Sequence, residues 1–270
     1  MSERTTRRFI LTAWAAFTLL PIYWILDLSF QKEISFPPNI VPTDPSIYHY
    51  TSLLNEKLIL TGILNSLIVS LVAAAVSVFI TTMAGYAFSR LKFWGKKLLF
   101  VGVLMAFLLP PNLNIIPIFS LFSELGILGS RIGMVFLYQL LATPLNIFLF
   151  MNYFNTVEDA IVESAILDGA GVFARYFRIF LPLAKPALVA GFIFAFRFSW
   201  SEYVYATTMV SENSKILFTA ALERAIFSGQ YTVNFGYMAS GALLLAIPVV
   251  IILLFGQRYL ELGLQLGGVD

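Results

Sequence analysis

Six long apolar runs separated by polar segments are the dominant pattern along this chain of 270 residues. A helix of about 20 apolar residues, rising about 1.5 Å per residue, crosses a hydrocarbon core of about 30 Å. The pattern therefore predicts transmembrane helices near residues 9–30, 62–88, 98–121, 132–153, 187–208 and 236–255. The predicted fold class is an all-α membrane protein in which residues 1–270 form a single transmembrane domain of six helices.

Pro110, Pro117 and Pro248 interrupt predicted spans. Proline removes a backbone hydrogen-bond donor, and neighbouring helices in a membrane can satisfy the groups it frees. We expect a bend or a packed kink at these positions.

Composition supports the membrane assignment. The chain is 59% hydrophobic and only 12% charged, with a mean hydropathy of +0.84, whereas soluble domains are about 25% charged. Cysteine is absent, which excludes disulfides, a thiol nucleophile and thiolate metal sites. The single histidine, His49, lies in a polar loop beside Tyr48 and Tyr50, and we predict that it is a surface residue rather than a metal ligand.

The distribution of lysine and arginine predicts the orientation of the chain, because these residues are enriched in cytoplasmic segments. With a cytoplasmic N-terminus, eleven of the seventeen fall on the cytoplasmic side, five fall in outer loops and Arg197 lies within a span. Six spans also return the C-terminus to the cytoplasm. The long polar segment 154–186, between the fourth and fifth spans, then faces the compartment that contains ATP.

Segment 154–186 has the pattern of a helix, a glycine turn and a second helix. Residues 156–167 contain neither proline nor glycine, and five apolar residues fall on one predicted stripe: Val157, Ile161, Val162, Ala165 and Ile166. Gly169 follows where a helix must stop or bend. A second helix is predicted from Val172 to about Phe180, ended by Pro182 and Pro186. The predicted result is a compact knob that projects into water.

The same segment resembles the signature loop of binding-protein-dependent ABC importer permeases. Six residues match that loop in type and spacing: Glu163, Ala165, Gly169, Ile179, Leu181 and Pro182. Ser164 departs from the alanine that is usual in the family. The alternative interpretation is an interfacial amphipathic helix without a partner. Further matches, from Trp24 to Gln31 and at Pro37–Pro38, Pro42, Leu109–Pro110, Pro117, Gly126–Leu128 and Pro144, are similar to the carbohydrate-uptake branch, specifically its second, shorter maltose-permease G type subunit.

The resemblance implies a permease subunit of a type I importer, expected to act on a sugar. It implies a second permease, two ATPase subunits and an extracellular solute-binding protein as partners, with ATP and Mg on the ATPase and no cofactor in this chain. The implied ATPase-coupling residues are Glu163, Ser164, Ala165, Asp168, Gly169, Leu181 and Pro182. Glu163 is the expected contact to a basic residue of the ATPase, and Gly169 the expected bend.

Polar residues inside the fifth span predict a substrate pathway, because such residues are costly in a membrane. The candidates are Arg197, Ser199, Ser201 and Glu202, beside the aromatic Trp200 and Tyr203. The family commonly has Trp-Asn-Glu where this chain has Trp200-Ser201-Glu202. The alternative is that Arg197 and Glu202 form structural ion pairs.

No lysine is followed by serine or threonine, so the chain lacks a phosphate loop of the GxxxxGK[ST] type and cannot hydrolyse ATP by that route. We therefore expect a non-catalytic subunit. Two alternatives for its function remain at this stage. One is a permease for glycerol phosphate or another polyol, and the other is an ion-coupled secondary transporter, for which inverted repeats would be expected.

Overall fold

The computed structural model of the chain describes residues 3–34, 44–108, 110–227 and 233–267, and within these ranges it contains helices and no strand. Pro37, Pro38, Pro42 and Leu109 lie outside the described residues. The helices are α1 Glu3–Phe30, α2 Tyr48–Asn55, α3 Lys57–Arg90, α4 Lys96–Leu108, α5 Ile115–Glu124, α6 Arg131–Asn155, α7 Asp159–Leu167, α8 Val172–Arg175, α9 Leu181–Leu183, α10 Lys185–Ser201, α11 Val204–Met209, α12 Phe218–Ile226 and α13 Phe235–Gly267.

Helices α1, α3, α6 and α13 are each long and apolar enough to cross a membrane. Two further spans arise if each of two bent helix pairs is counted as one, which gives six. The all-α membrane fold expected from the sequence is confirmed. Helix α3 begins at Lys57, before the predicted apolar run, and α13 continues past its predicted run to Gly267, through Gly256 and Gly263. A glycine inside a helix lowers its propensity but does not by itself end it.

The third apolar run forms a broken element rather than one straight helix. A 3₁₀ turn, Pro111–Asn114, separates α4 from α5, and the two helices meet at 93°. Pro110, where a bend or packed kink is expected, therefore marks a sharp bend. Pro117 lies in the first turn of α5, and Pro248 lies inside a helix that continues past it.

The fifth apolar run is interrupted near its C-terminal end, where α10 stops at Ser201 and α11 begins at Val204. The polar loop predicted after it contains the short helix α12, which is mostly buried against α3 and α13. Two side chains of α3 hold the chain there. Asn65 donates to the carbonyls of Ser214 and Ile216 at 3.1 and 2.9 Å, and Ser66 accepts from the N–H of Phe218 at 2.8 Å.

Helix α3 is the centre of the bundle and packs chiefly on α6 and α10. A Cβ atom at Gly85 would lie 2.6 Å from Cβ of Phe150 on α6, so the backbones approach as closely as they do only because that side chain is missing. Asn146, which is 1% exposed, donates to Ser77 on α3 and to the carbonyl of Gly191 on α10. This amide links the three central helices.

The prediction that His49 lies on the surface is wrong. His49 is only 5% exposed, and its Nε2 is 2.9 Å from the carbonyl oxygen of Gln31. The imidazole packs over Gly236 at the start of α13 and contacts the ring of Tyr237 edge-on. The missing side chain at Gly236 provides the space, and a polar local sequence gave no sign of that long-range contact.

We expect Gly85→Ala to destabilise the bundle and Gly102→Ala to leave it intact or stabilise it. Overpacking a tight contact costs about 1–3 kcal/mol. At Gly102, on α4, a new Cβ meets nothing within 4 Å, so the gain in helix propensity of about 1 kcal/mol is the remaining effect. Thermal unfolding of both purified variants in detergent measures the difference, and equal midpoints would contradict the close approach at Gly85.

Candidate functional site

Helix α7 and the turn after it form the core of the predicted knob. The N–H of Gly169 donates to the carbonyl of Ile166 and the N–H of Ala170 to that of Ala165, both at 2.9 Å. This pair of bonds is a Schellman motif, which places the glycine in the left-handed region, and Gly169 has φ +79°. The turn predicted at Gly169 is present, and its backbone bonds fix the direction in which the chain leaves α7.

The second half of the knob is not one regular helix. After α8, residues Tyr176–Phe180 form a π-turn, and α9 follows at Leu181–Leu183. Pro182 therefore lies within a helical turn and does not end the segment. The chain bends by 78° between Val172–Leu183 and α10, so this stretch redirects the chain from the knob into the fifth span.

The apolar stripe predicted on the first helix divides between two faces. Val157 and Val162 are partly buried and Ala165 is 8% exposed, and these three pack towards the bundle. Ile161 and Ile166 point outward, 40% and 52% exposed. At about 100° per residue, Val162 and Ala165 lie in the middle of the stripe and Ile161 and Ile166 at its two edges, so only the middle is covered by the bundle. Val157 precedes α7, which begins at Asp159 rather than at residue 156.

The outer face of the knob combines apolar and acidic side chains. Leu167 is 87% exposed, next to the exposed Ile166 and Glu163. Glu163 forms no hydrogen bond or ion pair with any described residue. Such a mixed surface suits docking to another protein.

Three of the other predicted coupling residues make contacts or cap a helix within the knob itself. Ser164 donates to the carbonyl of Ile161, Asp168 occupies the C-cap of α7, and Leu181 packs beneath the knob. Pro182 is exposed. Their contact with an ATPase stays a prediction.

Arg90 is a residue that sequence reasoning missed. The sequence indicates only that it is one of the basic residues expected on the cytoplasmic side, yet its guanidinium reaches across to the start of the knob, and its side chain is 13% exposed. The only available signal was its position as the last residue of a long apolar helix.

The predicted pathway residue Glu202 fills the break between α10 and α11. Its carboxylate accepts from the N–H groups of Tyr205 and Ala206, at 2.9 and 3.0 Å, and from the hydroxyl of the buried Tyr138 at 3.0 Å. A carboxylate at a helix start satisfies otherwise unpaired donors and favours the positive end of the helix dipole. Glu202 therefore has a structural task within this subunit, and it forms no ion pair with a described residue.

The remaining pathway candidates differ in the direction they face. Ser199 is buried and donates to the carbonyl of Ala195 in its own helix. Arg197 and Ser201, one turn apart, lie on an exposed face of α10. Ser201 donates to the carbonyl of Arg197, while the guanidinium of Arg197 has no carboxylate partner among the described residues. A role in binding a solute stays a prediction, best supported for Arg197.

Comparisons with known proteins agree with this geometry. The family described as "Binding-protein-dependent transport system inner membrane component" matches residues 77–265. The inner membrane ABC transporter permease protein YcjP of Escherichia coli is 30% identical, over 93% of this chain and 91% of that protein. The maltodextrin transport system permease protein MalD of Streptococcus pneumoniae is 33% identical, over 83% and 80%. The trehalose permease SugB of Mycobacterium tuberculosis is 27% identical, over 96% and 94%.

A solved structure shares the fold. One chain of a bacterial ABC transporter involved in the import of the acidic polysaccharide alginate superposes with a TM-score of 0.78, over 96% of this chain and 99% of that one, at 23% identity. The overall fold of this chain is therefore also that of one chain of a solved transporter.

We expect Glu202→Ala to lower the thermal unfolding midpoint in detergent, while Arg197→Ala leaves it unchanged. The first substitution leaves the N–H groups of Tyr205 and Ala206 and the hydroxyl of Tyr138 without their acceptor. Each unsatisfied buried group costs about 1–3 kcal/mol. The second removes a side chain that no described residue holds. Equal midpoints for the two variants would contradict the capping role of Glu202.

Proposed function

The chain belongs to the binding-protein-dependent transport system inner membrane components, and from this premise we propose that it is the shorter of two permeases in a type I ABC importer for a sugar. It is a multi-pass membrane protein and a non-catalytic transport subunit. The match to the family over 77–265, which includes the whole knob, is the observation that carries the proposal.

The names of the relatives support a carbohydrate as the transported solute. They include permeases for trehalose, diacetylchitobiose, maltodextrin and arabinooligosaccharides. These are oligosaccharides rather than polyols, so we favour a short glycan over glycerol phosphate.

A second permease is proposed to cover the face of α10 that carries Arg197. A charged side chain directed into lipid is strongly unfavourable, and such residues face a bundle interior or an aqueous cavity. Since no described part of this chain covers Arg197, the covering surface comes from another subunit, and the gap between the two subunits is the proposed pathway.

Two ATPase subunits, which bind ATP and Mg, are proposed to dock on the knob. Leu167 and Ile166 offer apolar contact area, and Glu163 offers a charge for a basic partner. When the ATPases close on ATP, the knob moves as a rigid body and tilts the spans attached to it. An extracellular binding protein delivers the sugar, and both termini of the permease lie in the cytoplasm.

Affinity purification of the tagged chain from its native membrane in mild detergent tests the assembly. We expect mass spectrometry to identify an ATPase and a second permease in the purified complex. Recovery of the chain alone under several mild conditions would contradict the importer. Uptake that survives a protonophore but stops when the ATPase is inactivated separates this importer from an ion-coupled transporter.

We expect Gly169→Val to reduce the amount of ATPase that co-purifies, while Gly171→Val does not. A side chain at φ +79° costs about 1–2 kcal/mol and is worse when β-branched. Gly171 has φ −67° and ψ 171°, which valine adopts without strain, and neither glycine has a neighbour within 4 Å of a new Cβ. Undiminished ATPase recovery with Gly169→Val would contradict the coupling role of this turn.

A further inference from the structure

One face of α3 is bonded to the knob on three successive turns. Thr82, Tyr86 and Arg90 are spaced at i, i+4 and i+8, which places them in one row along a helix. Each side chain contacts a different part of segment 154–186. The knob is joined by the chain itself only to α6 and α10, so this row is an additional connection to the second span.

The inner two residues of the row hold the second half of the knob. The hydroxyls of Thr82 and Tyr176 are 2.9 Å apart, and both side chains are buried. The hydroxyl of Tyr86 donates to the carbonyl of Val172 at 3.4 Å, and its ring lies 4.8 Å from that of Phe180. These contacts fix the π-turn against α3.

Arg90 holds the first half. Its Nε and Nη2 atoms donate to the carbonyl of Phe154 at 3.0 and 2.6 Å, and Nη2 also donates to the carbonyl of Val157. Nη1 donates to the carboxylate of Asp159 at 2.5 Å. The guanidinium carbon lies 5.4 Å from the ring centre of Phe180. One side chain therefore contacts both the first residues of the knob and Phe180, in its second half.

The carbonyl contacts are the important part of this arrangement. Helix α6 ends at Asn155, and the last carbonyls of a helix lack partners inside it and favour a positive charge. Asp159, by contrast, has a side chain that is 80% exposed, and an exposed ion pair contributes little. The planar fork of arginine reaches two carbonyls and a carboxylate at once, which the single ammonium of lysine cannot do.

We infer that Arg90, supported by Thr82 and Tyr86, is a positioning residue that locks α3 to the knob, so that the second span moves as one rigid body with it when the ATPases close. This inference rests on the proposed function, because it concerns how motion of the knob is transmitted.

Spin labels test the lock directly, and the absence of native cysteine makes the labelling specific. The labels are placed at Lys92→Cys, just beyond α3, and at Ala160→Cys on α7, in the complex with its co-purified ATPase. Distances are measured by pulsed electron paramagnetic resonance, without nucleotide and after trapping with ATP and vanadate. We expect one narrow distance that is the same in both states. A distance that changes on trapping would overturn the inference.

Variants in this labelled background then isolate the side chain. With Arg90→Gln we expect a second distance, as the undocked population rises about tenfold, equivalent to about 1.4 kcal/mol, while the ATPase still co-purifies. Arg90→Lys restores part of the single distance. Lys97→Gln removes an exposed charge in the first turn of α4 and leaves the distribution unchanged, and Asp159→Asn changes it little. An unaltered distribution in Arg90→Gln would overturn the inference.

If Arg90→Gln fails to accumulate in the membrane, the pair Thr82→Val and Tyr86→Phe decides the matter. Together they remove the other two hydrogen bonds without changing charge, and we expect the distance distribution to broaden. A narrow distribution in that double variant would overturn the inference. Failure of the proposed function has a different signature, because in that case the unmodified chain recovers no ATPase at all.

Discussion

Backbone groups at helix ends and breaks are the constraint on which the rest of this structure depends. Where such groups are buried, in protein or in lipid, water cannot satisfy them, so the protein must provide the partners. The carbonyl of Phe154 at the end of α6 accepts a hydrogen bond from the guanidinium of Arg90. The first N–H groups of α11 donate hydrogen bonds to the carboxylate of Glu202. The N–H of Phe218 at the start of α12 donates a hydrogen bond to the hydroxyl of Ser66.

Two of these three partners come from α3, which explains why that helix is both long and central. Ser66 lies towards one end of the bundle and Arg90 at the opposite end, about 24 residues or 36 Å apart along the helix axis. Between them, Gly85 lets α6 approach closely. A helix that satisfies elements at both ends cannot shift along its axis without breaking one set of bonds, so it is suited to move only as a whole.

The sequence predicts what depends on local pattern and misses what depends on long-range partners. Apolar run length identifies the membrane helices, and the spacing around Gly169 identifies the turn of the knob, because both are encoded within one stretch. The burial of His49 depends on Gly236, far away along the chain. The role of Glu202 depends on where α10 stops, and apolar residues continue on both sides of that break. The division of the stripe on α7 depends on how much of its width the bundle covers, and the pattern of the stripe does not show that.

Arginine in this chain shows why residue type and location do not determine role. Arg90 and Arg197 both adjoin or lie within apolar spans, and counting positive charges treats them alike. The guanidinium of Arg90 is largely enclosed and donates hydrogen bonds to carbonyls of its own subunit. Its charge is therefore already stabilised by the contacts that hold the knob. Arg197 lies on an exposed face with no carboxylate partner among the described residues. Because a charge left in lipid is so unfavourable, the unpaired arginine is the one that the proposed second permease, or water in the proposed pathway, would stabilise.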